Sequence, residues 1–209
     1  MTGKRVLMVE GTDDEHVVKH ICGQRRLGTI DNIHRYGGKD SLLIEGIEVR
    51  LKESDIEVLG IILDADTDLQ ARWQAVSSRL SKAGYGSLPA IPAPDGTIIE
   101  SPADSLLPRV GIWLMPDNQI PGILEDFLRF LVPDGDGLWV HVEQSIASIP
   151  SAHLRFSDPK KPKAWIHTWL AWQEEPGKPL GQAISARYLD SSLPVANVFA
   201  GWLQRTFFS

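Results

Sequence analysis

The sequence predicts an α/β protein, with a mainly parallel, Rossmann-like sheet flanked by helices and a helical C-terminal extension. Short apolar segments of strand length alternate with segments of helical periodicity through residue 132. Such alternation indicates βαβ units. After the turn-forming segment 133–137 the strand-like pattern disappears and helical patterns follow. We therefore expect an α/β domain over residues 1–132 and a helical extension, packed on it, over residues 133–209.

The first half of the chain contains three strand–helix pairs. Gly11 permits a sharp turn after the first strand, and Thr12 or Asp13 is suited to capping the helix that follows. Gly37-Gly38 closes the second strand, and an amphipathic helix follows the third. The predicted strands are 5–9, 30–36 and 58–63, and the predicted helices are 14–25, 40–51 and 69–83.

The second half begins with a proline-rich region and ends in helices. Two short edge strands are expected around a turn at Pro94-Asp95-Gly96. Three tryptophans, Trp165, Trp169 and Trp172, recur at helical spacing, which favours a packed seam over a base-stacking surface. The predicted strands are 88–94, 97–100 and 110–115; the predicted helices are 122–132, 138–149 and 164–173, with two more between 181 and 208. Residues 157–163 are expected to form a basic loop.

The composition is that of an ordinary globular protein. The 209 residues are 43% hydrophobic and 23% charged, and no apolar run approaches the roughly 20 residues of a membrane span. The single cysteine, Cys22, excludes an internal disulfide and a multi-cysteine zinc site. The N-terminus leads directly into a strand and lacks a signal-peptide core. These features predict a cytoplasmic protein that is not associated with membranes.

Charge is unevenly distributed along the chain. Residues 1–150 hold 14 Lys and Arg against 23 Asp and Glu, whereas residues 151–209 hold 7 against 4. The net charge of −6 argues against a general nucleic-acid coat protein. An acidic body with a basic C-terminal part suits an enzyme that binds phosphates through metal and lysines together, although a solvated surface explains the same asymmetry.

The third strand ends in three aspartates at alternate positions. On an extended backbone, Asp64, Asp66 and, if the extension continues, Asp68 lie on one face. Their charges repel one another unless a cation lies between them. A hard divalent ion with oxygen ligands, Mg²⁺ first, would relieve this repulsion. A polar turn after a buried strand is the alternative interpretation.

A second acidic residue, Glu10, follows the first strand in the same way. Ligands of open parallel sheets bind beyond the carboxyl ends of the strands. If the two strands are neighbours, Glu10, Asp64 and Asp66 converge, and Glu10 has the reach to act as a ligand or a proton acceptor. Asp14, in the first helix, is placed to support this site from beneath.

These residues resemble the Toprim domain. The resemblance rests on a glutamate after the first strand, in Val9-Glu10-Gly11, then Gly37-Gly38, and then Asp64-Ala65-Asp66 after the third strand, in that order. It covers roughly residues 4–132. Toprim domains occur in topoisomerases, bacterial primases, small ribosomal-RNA maturation nucleases and overcoming-lysogenization-defect nucleases. The chain lacks the tyrosine-bearing domain of topoisomerases and the zinc module of primases, which leaves the nuclease-like branch.

The resemblance implies roles for individual residues. Glu10, Asp64 and Asp66 would be catalytic and would hold Mg²⁺ or Mn²⁺, with Asp68 as an auxiliary ligand and Glu125 serving a second metal. A catalytic lysine would come from the basic segment, where the sequence does not choose among Lys160, Lys161 and Lys163. We take Lys163 as the candidate and Lys160 and Lys161 as supporting residues. Gly11, Gly38 and Asp14 would support the site. An ordinary acidic helix start explains Glu125, and a solvated loop explains the lysines, without any catalytic role.

Two functions from different classes follow. The first is a metal-dependent nuclease, or phosphodiesterase, acting on DNA or RNA; the second is a non-catalytic Toprim-like module that binds nucleic acid, nucleotide or a protein partner. A receiver-like phosphotransfer domain ranks behind both, because its third strand would offer a single phosphorylatable aspartate. The chain has no P-loop, since Gly37-Gly38-Lys39 lacks the upstream glycine, so any ATPase would be a separate partner. His16 and His20 are spaced to bind zinc but have no evident third ligand.

Overall fold

A five-stranded sheet forms the centre of the protein in the computed structural model, which describes residues 3–209. The strand order is β2-β1-β3-β5-β4; the first four strands are parallel, and β4 is an antiparallel edge strand. This confirms the predicted α/β class with a mainly parallel sheet. The strands are β1 (Lys4–Val9), β2 (Asn32–Arg35), β3 (Ile56–Asp64), β4 (Thr97–Ile99) and β5 (Arg109–Met115).

Helices connect the strands and cover both faces of the sheet. A π-helical segment, Leu42–Gly46, joins α2 and α3, so residues 39–50 form one irregular helix. The α-helices before β5 are α1 (Thr12–Arg25), α2 (Lys39–Ser41), α3 (Ile47–Arg50) and α4 (Leu69–Ala83). Those after β5 are α5 (Leu124–Arg129), α6 (Gly137–Ala147), α7 (Lys161–Ala171), α8 (Leu180–Ser185) and α9 (Pro194–Phe207).

Side chains of each strand alternate between two hydrophobic cores, as the period of a strand requires. Leu7, Ile62 and Trp113 pack in a core with α1 and α5 to α9. Their neighbours Met8 and Ile61 pack in the opposite core with residues 42–51 and α4. Because both faces are covered, the middle strands are apolar throughout.

The C-terminal helix α9 lies directly on the sheet. At Gly60 of β3 an added Cβ would stand 2.3 Å from the Phe207 ring, and at Gly111 of β5 it would stand 2.4 Å from Thr206. Two glycines therefore permit the close approach of the helix. The helices after residue 133 share one hydrophobic core with the strands, so the packing is continuous across the predicted domain boundary.

Three sequence predictions differ from the structure in their details. Residues 88–94 form no strand, because prolines interrupt the segment and remove backbone donors. The helix predicted over 122–132 is only Leu124–Arg129. The basic segment is not all loop, since Lys161 begins α7. Trp169 is buried as expected of a packed seam, whereas Trp172 is 43% exposed beside His141.

Among the residues that the structure describes, no helix is both long and apolar enough to cross a membrane. The sheet instead positions polar groups at one end. The parallel strands β1, β3 and β5 all finish at the same edge. The acidic residues predicted to act together lie at this edge: Glu10 directly after β1, Asp64 as the last residue of β3, and Asp66 two residues later.

Candidate metal centre

Glu10 joins the ends of the two central strands. It follows β1, and its Oε1 accepts a hydrogen bond of 2.9 Å from the backbone N–H of Asp64 at the end of β3. Burial raises the pKa of Glu10, and the charge of Asp66 adds to this effect, while the Asp64 N–H opposes it. The predicted convergence of Glu10 and Asp64 is therefore present.

Asp64 lies at the centre of the acidic group. It is the last residue of β3, and its Oδ1 accepts a 2.9 Å hydrogen bond from the N–H of Leu124 at the start of α5. Burial raises the pKa of Asp64 well above its ordinary value, and the charges of Glu10, Asp14 and Glu125 raise it further. Three further carboxylates are thus close enough to disfavour the ionisation of Asp64.

Asp66 does not continue the extended backbone of β3. Its φ of 54° lies in the left-handed region, and its N–H donates to the carbonyl of Gly122 at 2.9 Å. Its side chain is consequently turned toward two cations: Oδ2 lies 2.6 Å from Lys39 Nζ and 2.7 Å from Arg72 Nη2. The simple alternation expected for Asp64, Asp66 and Asp68 stops at Asp64.

Asp68 caps the helix that follows the acidic residues. It is the N-cap of α4, where its Oδ1 accepts a 2.9 Å hydrogen bond from the N–H of Ala71. A carboxylate at this position stabilises the helix start through the free N–H groups and the helix dipole. Because the chain has already turned into the helix, the geometry gives no support to Asp68 as an auxiliary ligand.

Asp14 supports the site from the first turn of α1. Its Oδ2 accepts a 2.9 Å hydrogen bond from the N–H of Gly11, which fixes the turn directly after Glu10. The side chain is buried, and burial together with the charge of Glu10 raises the pKa of Asp14 to about 7. Asp14 therefore stabilises the turn that follows Glu10.

Glu125 faces the acidic group from α5 and forms an ion pair with a lysine of α7. Its Oε1 lies 2.5 Å from Lys163 Nζ, and the glutamate is only 1% exposed. Burial opposes protonation of Lys163, but the hydrogen bond and charge of Glu125 outweigh it, so the pKa of Lys163 is raised. The second oxygen, Oε2, is buried without a hydrogen-bond partner.

The structure distinguishes Lys163 from the two other lysines of the basic segment. Lys161 lies over the ring of Trp165, 5.0 Å from its centroid, and Lys160 is exposed at the end of a 3-10 turn. Lys163 alone of the three contacts the acidic group, within the part of the chain that is described. Sequence reasoning could not choose among them, because a helix begins inside the segment.

The glycine turn after β2 borders the site. Gly37 and Gly38 have φ values of 72° and 136°, which L side chains rarely adopt. The N–H of Gly38 donates to the carbonyl of Glu10 at 3.1 Å, so the turn is attached to the end of β1. A polar cavity of about 470 Å³ opens between this turn and the acidic residues, lined by Glu10, Gly37, Gly38, Lys39, Asp40, Ser41 and Asp66.

Two cationic residues of this site, Lys39 and Arg72, were missed in the sequence. Arg72 donates from Nε to the carbonyl of Asp64 at 2.8 Å as well as from Nη2 to Asp66. Lys39 had a weak signal, since it follows the glycine pair, whereas Arg72 had none beyond its place one turn into α4. Their pairing with Asp66 depends on its left-handed backbone, which the sequence pattern does not indicate.

The donor set has the chemistry that a hard divalent cation requires. We call Glu10, Asp14, Asp64 and Glu125 the carboxylate cluster; all four offer oxygen ligands in a largely buried place. The unpartnered Oε2 of Glu125 is a free acceptor, and the raised pKa of Asp64 indicates that its negative charge is unfavourable in these surroundings. As the side chains stand, however, no three His, Cys, Asp or Glu groups within residues 3–209 surround a common point. Backbone N–H groups instead donate to one oxygen each of Glu10, Asp14 and Asp64. Lys163 donates to one oxygen of Glu125.

Comparison with known proteins places the chain in a family without assigning an activity. Residues 4–208 match the family described as "Protein of unknown function (DUF3226)", which is nearly the whole chain. The chain belongs to this family. No curated protein and no solved structure matches it.

Proposed function

We propose that this member of the DUF3226 family is a metal-dependent nuclease, a Toprim-type phosphodiester hydrolase that acts on DNA or RNA. The observation that supports this most strongly is the carboxylate cluster, where burial and the charges of Glu10, Asp14 and Glu125 raise the pKa of Asp64, and burial and the charge of Glu10 raise the pKa of Asp14. Crowded carboxylates at a strand end of a parallel sheet are suited to binding Mg²⁺ or Mn²⁺.

In this proposal Glu10, Asp64 and Glu125 would hold the metal, together with the partly exposed Asp66. The ion would supply a nucleophilic water at neutral pH and would neutralise charge on the phosphate. Asp14 fixes the turn after Glu10 through the Gly11 N–H.

Lys163 contributes a fixed positive charge beside the ligands. Its ammonium pairs with Glu125 and is half exposed, so one side of it can face a phosphate. A preorganised cation near the developing negative charge of the transition state accelerates the reaction. Lys160 and Lys161 extend the basic surface along which a nucleic-acid backbone would lie.

The alternative function is a non-catalytic Toprim-like module that binds nucleic acid, nucleotide or a protein partner. One observation favours it: Lys39, Arg72 and Lys163 already neutralise Asp66 and Glu125, which stabilises these acids without a metal. This function predicts binding without turnover.

Cleavage assays separate the two functions. Labelled single- and double-stranded DNA and RNA are incubated with the protein and Mg²⁺, Mn²⁺ or a chelator. We expect metal-dependent cleavage that is lost in Glu10→Gln and Asp64→Asn. The matched control is Asp55→Asn, because Asp55 pairs with Lys4 at 2.6 Å at the opposite, amino end of the strands. Cleavage that survives in Asp64→Asn would refute the proposed mechanism, and binding of nucleic acid without any cleavage would favour the alternative.

A further inference from the structure

Two cations share one oxygen of Asp66, and they are held very differently. Arg72 has a side chain only 11% exposed and makes a second hydrogen bond to the carbonyl of Asp64. Lys39 has a side chain 43% exposed, and within residues 3–209 Asp66 is the single hydrogen-bond partner of its ammonium. Arg72 is therefore fixed in place, whereas Lys39 is attached through one contact.

The backbone of Lys39 is held beside the acidic site, whereas its side chain is held by a single contact. Gly38, just before it, donates to the carbonyl of Glu10, so Lys39 always starts beside the acidic site. A Cβ placed on Gly37 or Gly38 would meet no atom within 4 Å. The turn thus faces open space, and the polar cavity of about 470 Å³ lies between it and Asp66.

We infer that Lys39 alternates between two anions: Asp66 in the metal-free protein and a substrate phosphate when a metal is bound. This inference rests on the proposed function. When Asp66 turns an oxygen toward a metal, the attraction between that oxygen and Lys39 weakens, because the carboxylate charge is already compensated. Arg72 keeps its bond to the Asp64 carbonyl and continues to position Asp66.

The chemistry of lysine suits this exchange. Its ammonium is a compact charge on a flexible stem, and lysine binds phosphate as a point charge. The released group lies in a cavity whose other walls include the proposed ligands Glu10 and Asp66. A backbone phosphate of a nucleic acid that approaches the site from this side would meet Lys39, while Lys163 faces the site from α7.

The test measures metal and substrate affinity separately in Lys39→Ala, with Lys39→Arg as the charge-retaining variant. Lys4→Ala is the matched control, since Lys4 also forms a 2.6 Å ion pair with an aspartate, at the other end of the sheet. Mn²⁺ binding is followed by calorimetry without nucleic acid. Substrate binding is followed by fluorescence anisotropy with phosphorothioate DNA and RNA 12-mers in Mg²⁺.

We expect Lys39→Ala to bind Mn²⁺ at least as tightly as the wild type, because a competitor for Asp66 has been removed. We expect the same variant to bind the preferred 12-mer about tenfold more weakly, which corresponds to about 1.4 kcal/mol. Lys39→Arg should recover most of this affinity, and Lys4→Ala should match the wild type in both measurements.

The outcomes distinguish this inference from the function on which it rests. Unchanged 12-mer affinity in Lys39→Ala, together with normal Mn²⁺ binding, would overturn the role of Lys39 alone and leave its ion pair as a structural contact. Weaker Mn²⁺ binding in Lys39→Ala would also overturn it, since a competing cation cannot assist the metal. A wild-type protein that binds no Mn²⁺ would overturn the proposed function and this inference with it.

Discussion

At the scale of single residues, ionisation of the carboxylate cluster lowers the stability of the fold, and we propose that a bound metal offsets this loss. Asp64 is surrounded by three further acids, and burial and repulsion both raise its pKa. In the ionised, metal-free state these charges oppose folding. Residues whose pKa is strongly shifted by burial and by neighbouring charges are concentrated at functional sites.

Asp64→Asn tests this trade-off. The amide keeps an oxygen that can accept from Leu124 and loses the charge. In chelator at pH 8 we expect the free energy of unfolding to rise by on the order of 1 kcal/mol, a typical change for a single substitution but here in the stabilising direction. Thermal and urea unfolding measure it. Destabilisation of the metal-free protein, with the metal dependence of unfolding intact, would contradict the account.

Arg72 is expected to position Asp66, and Arg72→Met tests this role. Removing its bonds to Asp66 and to the Asp64 carbonyl should lower cleavage activity by about 10- to 100-fold, the usual effect of losing a group that orients a metal ligand. Arg79→Met is the matched control on the same helix, since Arg79 bonds the carbonyls of Leu43 and Ala75 away from the site. Equal activity losses in both variants would mean that Arg72 affects activity only by stabilising the fold and not by positioning Asp66.

The sequence predicted the acids of the site better than their partners. Glu10 and Asp64 follow apolar strands, and parallel pairing brings strand ends together, so their convergence follows from the pattern. Asp68 caps α4, because one left-handed residue, Asp66, ends the extended backbone before Asp68. Lys39 and Arg72 reach the site because the same turn directs Asp66 toward them. A left-handed backbone at a residue other than glycine produces no pattern of apolar and polar residues, so the sequence did not indicate it.

At the scale of elements, α9 fixes the sheet through close contacts at two glycines. We expect Gly60→Ala to lower the free energy of unfolding by about 1–3 kcal/mol, because the methyl group would overlap the Phe207 ring. Gly23→Ala is the control, and it should have the opposite effect. Gly23 lies in α1, and an added Cβ there would meet no neighbouring group within 4 Å. The substitution should therefore raise the free energy of unfolding by about 0.5–1 kcal/mol, because alanine loses less conformational freedom than glycine in a helix. Urea unfolding measures both. A neutral Gly60→Ala would show that α9 is not closely packed.

Elements with strong periodicity were predicted well, and those with weak local signals were not. β3 and α4 have long uniform patterns and begin and end within two residues of prediction. Residues 88–94 contain apolar residues but also prolines that prevent sheet pairing, and they form no strand. The short α5 depends on its contact with Asp64 from a distant part of the chain, which no local pattern contains.

At the scale of the whole molecule, the acidic part of the chain and its basic C-terminal part both contribute residues to the candidate site. The acidic body supplies the carboxylate cluster, while Lys163 comes from the basic C-terminal part. The same helices that deliver Lys163 also cover one face of the sheet. The acidic and basic parts of the sequence therefore meet at the candidate site in the ion pair between Glu125 and Lys163, in addition to any effect of the charge asymmetry on solubility.

The pH dependence of stability follows from the same charges. The pKa of Asp14 rises from 3.8 to about 7 on folding, so the folded state binds more protons than the unfolded state in that interval. In chelator, the free energy of unfolding should consequently decrease as pH rises from about 4 to about 7. Saturating Mg²⁺ should offset the loss at pH 7, by about 2.7 kcal/mol at 100 times the dissociation constant.

Urea unfolding across this pH range measures the effect, and Asp14→Asn provides the control, since it should flatten the slope. Below pH 4 stability should fall for another reason: hydrogen bonds and ion pairs lower the pKa values of Asp31 and Asp55, and their protonation removes these contacts. Stability that increases steadily from pH 4 to pH 7 in chelator would be inconsistent with a buried, repelling cluster.

The most direct test of the central claim is calorimetric titration with Mn²⁺ of the wild type, Asp64→Asn and Asp55→Asn. We predict saturable binding by the wild type and by Asp55→Asn, and loss of that binding in Asp64→Asn while its cooperative unfolding is retained. Equal binding by all three proteins, or no binding by the folded wild type, would contradict the assignment of a divalent metal to the strand ends of this sheet.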